Sequence, residues 1–266
     1  MGDVITSVTN SKVKHLVKLR SRRARDEARS FIIEGYRELS RAVAAGIAID
    51  EVYSCEALYL GSNEPSLVDD VVSTGAHHFR LDEAPFRKVA YRDRPEGLLA
   101  VASQFDTDLA DLTLGSDPLI LVVESIEKPG NLGTMMRTAD AAGVSAVVIA
   151  DPTTDPFNPN VVRASIGSLF TVPLAIAYTD ETLTWLSVNG IRFIVTTPDA
   201  ETLHWEADYQ GSVAVIVGSE QYGLSATWID NAVATTRIPM AGTADSLNAA
   251  MATGITLFEA VRQRSA

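Results

Sequence analysis

Residues 118–143 read PLILVVESIEKPGNLGTMMRTADAAG, and this stretch decides the fold. Residues 119–123 are an unbroken apolar run between Pro118 and Glu124, the pattern of a parallel strand buried on both faces. A helix follows over 131–142, and Gly143 stops it. The next strand, 146–150, ends at Asp151-Pro152. Towards the C-terminus the alternation continues. Helices are predicted over 161–169, 181–188, 225–232 and 246–264, and strands over 172–176, 191–196, 213–217 and 235–238. This predicts an α/β domain with a parallel sheet over 118–266.

Towards the N-terminus, residues 105–117 (FDTDLADLTLGSD) are acidic and turn-rich, and read as a linker. Residues 1–104 form a smaller α/β unit. A polar, basic stretch over 10–30 predicts an exposed helix. Residues 31–34 are a short apolar run ending at Gly35, and a helix over 36–45 is closed by Gly46. Strands over 49–53, 78–81 and 98–102 alternate with helices over 66–74 and 83–91.

The chain has 266 residues, of which 46% are hydrophobic and 21% charged, a balance that supplies a sizeable core. A single cysteine, Cys55, excludes a disulfide framework and a multi-cysteine metal site. No apolar run approaches the ~20 residues of a membrane span. The N-terminus MGDVITSVTN lacks an apolar signal region. These features predict a cytoplasmic protein without a membrane partner. The net charge of −12 is unevenly spread: residues 1–42 carry +5 and the remainder −17. Phosphate responds to the local patch, because fields are screened over about 10 Å. Lys18, Arg20, Arg22, Arg23 and Arg25 are therefore candidate nucleic-acid contacts; a solvated helix face is the alternative.

The dinucleotide fingerprint, the phosphate loop and the nucleophile elbow are all absent. His15, His77, His78 and His204 lack the spacing of a zinc helix, so no metal site is predicted. Ligands in open α/β sheets sit beyond the carboxyl ends of strands. Three such loops are rich in glycine and polar groups. The first, over 124–137, carries Asn131, Gly133 and Arg137; the second, over 217–225, holds Glu220 between Gly218 and Gly223; the third, over 238–248, leads into the last helix. Each has an ordinary alternative: an N-cap asparagine with a surface arginine, a glycine turn, and an N-cap at Asp245 or Ser246.

Taken in order, the loops resemble the SpoU (TrmH-type) class of RNA 2′-O-ribose methyltransferases, and in particular the ribosomal-RNA members with an N-terminal substrate-binding domain. The family motif N-x-G-x-x-x-R is matched by Asn131, Gly133 and Arg137, and R-A-S-x-G by residues 163–167. The motif ending in E-x-x-G is matched by residues 218–223, and I-P-M…S-L-N by residues 238–240 and 246–248. The resemblance covers 118–266; residues 1–104 more weakly resemble the small RNA-binding domain of the family.

The resemblance implies a SPOUT-type fold with a deep trefoil knot, and a homodimer with the active site at or near the subunit interface. It implies S-adenosylmethionine as cofactor, held by backbone at Thr196, Gly218, Ile238, Met240 and Leu247, with Ser246 and Asn248 fixing its methionine end. The reaction implied is methyl transfer to a ribose 2′-oxygen of RNA, ribosomal RNA first. Arg137 would stabilise charge on that oxygen and clamp a phosphate, Asn131 and Glu220 would orient the ribose or Arg137, and Asn248 would complete the catalytic set. Two further readings fit the same motifs: a tRNA 2′-O-methyltransferase, and a non-catalytic RNA-binding protein on the same fold.

Overall fold

The computed structural model describes residues 4–265 and divides into two compact units. The first comprises residues up to Phe105 together with Asp155–Thr171; the second comprises Asp106–Thr154 and Val172 onward.

In the first unit, α1 (Ser11–Lys18) and α2 (Arg22–Ala28) precede β1 (Ser30–Glu34) and α3 (Tyr36–Ala44). Then come β2 (Ile49–Ser54), α4 (Glu64–Ser73), β3 (His77–Arg80), α5 (Glu83–Val89) and β4 (Leu98–Ser103). The four strands form one sheet in the order β1-β4-β2-β3, with only the β2–β3 pair parallel. The stretch predicted as one exposed helix is two helices. Asn10 caps α1 through Lys12 N at 2.8 Å, and Ser21 caps α2 through Ala24 N at 3.3 Å. Val13 and Leu16, three residues apart on α1, enter the core with Phe86, Leu99 and Val101. Apolar spacing thus overrides the basic composition of this segment.

The second unit begins with β5 (Leu119–Glu124), α6 (Pro129–Ala141) and β6 (Ala146–Ala150). The chain then forms α7 (Pro159–Ser165), which lies in the first unit, before β7 (Leu174–Ala177), α8 (Thr179–Val188), β8 (Arg192–Thr196) and β9 (Thr202–Leu203). It ends with β10 (Val213–Val217), α9 (Ala226–Asn231), β11 (Ala234–Arg237) and α10 (Ala249–Arg264). The strands form a parallel sheet in the order β7-β6-β5-β10-β8-β11-β9. Register sets the site: Val217 pairs with Val123 on one side and with Thr196 on the other, so the carboxyl ends of β5, β10 and β8 finish level.

Two segments depart from the sequence expectation. Residues 105–117 are not a free linker: Leu109, Leu112 and Leu114 pack on the core of the second unit, and Ile176 N donates to Thr107 O at 2.8 Å. Asp155–Thr171 groups with the first unit, not with the methylase-like sequence around it. Phe31 packs against Phe157 and Phe170, with ring centroids 5.1 and 6.0 Å away. The short strand β9 has no counterpart in the expectation, because two residues are too few to show a period.

Candidate active site

The three loops meet. Pro129 stands at the first helical position of α6, where its fixed φ favours the helix start, and Lys128 is the N-cap residue. Asn131 is therefore inside the first turn and not the cap. Its Nδ2 donates to Glu220 Oε1 at 2.7 Å. Lys128 Nζ forms an ion pair with Glu220 Oε2. From the third loop, Asn248 Nδ2 donates to the same Glu220 Oε1 at 2.5 Å and to Asn131 Oδ1 at 3.2 Å. Asn248 Oδ1 accepts from Ala250 N and Met251 N, so Asn248, not Asp245 or Ser246, caps α10. An asparagine can do both because it carries an acceptor at one position and two donors at the other.

The Glu220 side chain is still 22% exposed. The Lys128 ammonium, followed by the Asn131 amide, holds its carboxyl below the usual range. Burial opposes this and loses.

The second loop closes on itself. Ser219 and Gly223 exchange two backbone hydrogen bonds of 3.1 Å, and Ser219 Oγ accepts from Tyr222 N at 3.0 Å. A Cβ on Gly218 would collide with the carbonyl oxygen of Gly223, so this position needs glycine for space. Glu124, buried at the end of β5, anchors the loop's far end by accepting from Ser225 N at 2.8 Å and Ser225 Oγ at 2.7 Å.

Beside this cluster lies a cleft over the ends of β8, β10 and β11. Thr196, Gly218, Ile238, Met240, Ser246 and Leu247 all line it, together with Val217, Leu224 and Glu220. Neither lysine nor arginine lines it. Thr196 Oγ1 is buried there without a hydrogen-bond partner among the described residues.

Arg137 does not join the cluster. At 100° per residue it lies about 120° around α6 from Asn131, on an exposed face. No described residue hydrogen-bonds or ion-pairs with it. Lys128 and Glu124 are the residues that sequence reasoning missed. Lys128 stands in the first loop directly before Pro129, a position that signals a helix start and hence proximity to Asn131.

The basic arm is less available than its composition implies. Arg25 is only 1% exposed: Nε and Nη2 donate to Asp155 Oδ2 at 2.9 and 2.5 Å, and Nη1 donates to Leu19 O and Arg20 O. It is a structural residue and not a surface nucleic-acid contact. Arg20 donates to Lys88 O and Ala90 O and lies over the Tyr91 ring. Arg22 and Arg23 face Asp26 and Glu27 one turn on, at 3.7 and 2.7 Å. Lys18 is exposed.

Two family models match. Residues 118–258 match the SpoU rRNA Methylase family, and residues 10–100 match the MRM3-like substrate binding domain. The chain belongs to the SpoU rRNA methylase family. An uncharacterized tRNA/rRNA methyltransferase of Synechocystis is 33% identical over 98% of this chain and 94% of its own length. The 23S rRNA (guanosine(2553)-2′-O)-methyltransferase of Bacillus subtilis is 31% identical over 96% of this chain and 97% of its own. The crystal structure of an AdoMet-bound rRNA methyltransferase from Sinorhizobium meliloti superposes with a TM-score of 0.90 at 34% identity, over 98% of this chain and 97% of that one. In SpoU terms, the cluster unites the asparagine of the first motif, the glutamate of the second and the asparagine of the third.

Proposed function

We propose that this SpoU protein methylates a ribose 2′-oxygen of ribosomal RNA, using S-adenosylmethionine. The observation that carries this reading is the convergence of Asn131, Glu220 and Asn248 at the mouth of the cleft lined by Thr196, Gly218 and Met240. The substrate follows from relatives named as rRNA methyltransferases and from the substrate-binding domain match.

The cleft fits the cofactor. It is largely apolar, offers backbone at Gly218, Ile238 and Leu247, and has no lysine or arginine in its lining to repel a cationic ligand. The orphaned Thr196 Oγ1 would find a polar partner there. When bound, S-adenosylmethionine supplies a methyl group on a positively charged sulfur. Ser246, Leu247 and Met240 hold the third-loop side of the cleft, and Asn248 fixes that loop to Glu220. Asn131 and Glu220 orient the ribose. Arg137 stabilises negative charge on the attacking oxygen and clamps a phosphate. It does not take the proton, because a guanidinium keeps its own and so has no free lone pair to accept another; the proton leaves through water or a phosphate oxygen of the RNA.

We place this chemistry in a cytoplasmic homodimer. Met251, Ile255 and Phe258 are 60%, 36% and 48% exposed, and their spacing puts them on one face of α10. A second copy packed on this stripe would cover it. That copy would also bring an Arg137, a residue that makes no contact with Glu220 within its own chain. The same reading puts the trefoil knot where the second and third loops cross. No helix among the described residues is long and apolar enough to span a membrane.

The test is to incubate the protein with methyl-labelled S-adenosylmethionine and, separately, unmodified ribosomal RNA and bulk tRNA. Label entering ribosomal RNA as an alkali-resistant dinucleotide is expected. Label entering tRNA alone would replace the substrate, and cofactor binding without any transfer would favour the non-catalytic reading.

A further inference from the structure

The first unit carries an open cleft of about 730 Å³, between the start of α3, the loop before α4, the segment after α5 and the end of α7. Its size lies within the ~300–1,000 Å³ of small-ligand sites. Arg92 forms the floor. Its guanidinium pairs with Glu38 at 2.8 Å and with Glu96, and reaches Glu34 O at 3.4 Å. Gly35, at φ +110°, is needed here, since a Cβ would sit 2.6 Å from both Arg92 Nη2 and Glu38 Oε2. Arg41 donates to Ile166 O at 2.5 Å and holds one wall against α3. The cleft is built from fixed parts.

Its rim differs from its floor. Arg37 and Arg163 are exposed, and neither has a hydrogen-bond or ion-pair partner among the described residues. Arg163 acts on the Glu34 carboxyl only through its field. Tyr36 is half-buried and Leu60 is 78% exposed, which gives the cleft an apolar face. Two buried polar atoms on lining side chains, Arg92 Nε and Glu64 Oε2, have no hydrogen-bond partner among the described residues.

Two free guanidinium groups at the rim select a phosphate, whose oxygens match their fork. The interior sets three carboxylates, Glu38, Glu64 and Glu96, against the single guanidinium of Arg92, a balance that disfavours a phosphate there and favours a ligand with N–H donors. An aromatic ring and an exposed leucine receive a flat ring. A phosphate outside and a donor-bearing flat ring inside describe one nucleotide. Its base must be free of its duplex partner, because a stacked and paired base cannot enter a cleft.

We propose that this cleft binds one unpaired nucleotide of the RNA substrate, with its phosphate at Arg37 and Arg163 and its base against Tyr36 and Leu60. The inference rests on the reading of the protein as an RNA methyltransferase. It moves the main RNA contact of the first unit from the basic arm, whose arginines are engaged, to residues on α3 and α7.

The test measures binding of full-length protein to an unmodified large-subunit ribosomal RNA transcript across a salt series. The Arg37→Ala/Arg163→Ala double variant should bind ~10-fold or more weakly, with a salt slope shallower by about 1–2. Tyr36→Leu should weaken binding and leave the slope unchanged, because it removes a stacking surface and no charge. Arg22→Ala/Arg23→Ala should stay within about twofold. If wild type binds and the Arg37/Arg163 variant matches it in affinity and slope, the cleft assignment is overturned while the methyltransferase reading stands. If wild type itself binds no ribosomal RNA, both fall.

Discussion

Asn131 Nδ2 donates to Glu220 Oε1 at 2.7 Å, joining residues 89 positions apart in the chain. Asn248, from a third segment, donates to the same oxygen. One carboxylate therefore gathers donors from the loops after β5 and β11 while standing in the loop after β10. Its ionised form is an acceptor only, so each donor fixes its rotamer further. The cluster forms only when all three loops are folded, which couples assembly of the cleft to placement of the polar groups beside it.

The ion pair between Lys128 and Glu220 sets a pH dependence. The Glu220 carboxyl titrates below its ordinary 4.5, first because of Lys128. A depressed folded value contributes stability that is present above the unfolded value and is lost as pH falls through the folded one. Removing Lys128 raises the folded value back towards 4.5 and narrows that window. Lys128→Ala should therefore move the acid limb of the rate profile to higher pH, with neutral-pH turnover reduced by less than ~10-fold. Initial rates at graded pH check this; superimposable acid limbs would remove Lys128 from control of Glu220.

Arg137→Ala should lower turnover by ~100-fold or more and leave cofactor affinity nearly unchanged, because its proposed contact is made to the reacting oxygen. Its position around α6 from Asn131 adds a second expectation. If two copies share each site, mixed dimers of Arg137→Ala and Glu220→Gln carry one intact site. An equal mixture should then recover about a quarter of wild-type activity after subunit exchange. Titration calorimetry with the cofactor and methyl transfer by the mixture are the two measurements. A mixture as inactive as either variant alone would place each site within one chain.

The sheet of the second unit was legible because its strands are long apolar runs, such as Ile120 and Val122 of β5 and Val215 and Ile216 of β10. Site residues were legible where a loop left a buried strand with glycine and a polar group together, as at Gly218 and Glu220. The fate of Arg25 was not, because a cation buried against Asp155 is a long-range pairing with no local trace in sequence. The packing of Asp155–Thr171 with the first unit was not legible for a related reason. Its aromatic residues, Phe157 and Phe170, advertise burial but not the partner, Phe31. The burial of one face of the arm was not legible from charge counting, which overlooks that Val13 and Leu16 recur at helical spacing within it.

Gly218→Ala tests the steric basis of the cleft. The added methyl meets the Gly223 carbonyl, which is backbone held by its own pair of hydrogen bonds and cannot rotate away. The second loop must open, so cofactor affinity should fall by ~10-fold or more and stability by about 1–3 kcal/mol. Gly130→Ala is the matched control, since nothing lies near its Cβ position. Calorimetric titration and thermal unfolding of both variants decide the point; equal affinity in Gly218→Ala and wild type would show that the loop accommodates the methyl.

Arg25→Ala should act on folding and not on RNA charge. It leaves Asp155 buried without its guanidinium, and frees Leu19 O and Arg20 O of their donor. Breaking one side of a buried pair costs about 3–5 kcal/mol, whereas an exposed pair within one helix contributes ~0.5 kcal/mol or less. Arg23→Ala, whose Glu27 partner is largely exposed, should therefore unfold close to wild type in urea, while Arg25→Ala unfolds at a clearly lower midpoint. Replacing both Arg25 and Asp155 by methionine and leucine should recover most of the loss, because no unpaired charge remains in the interior. If Arg25→Ala instead unfolded like Arg23→Ala, the pair would be dispensable and Asp155 would be held by other groups, such as Phe157 N, which donates to its Oδ1 at 2.8 Å.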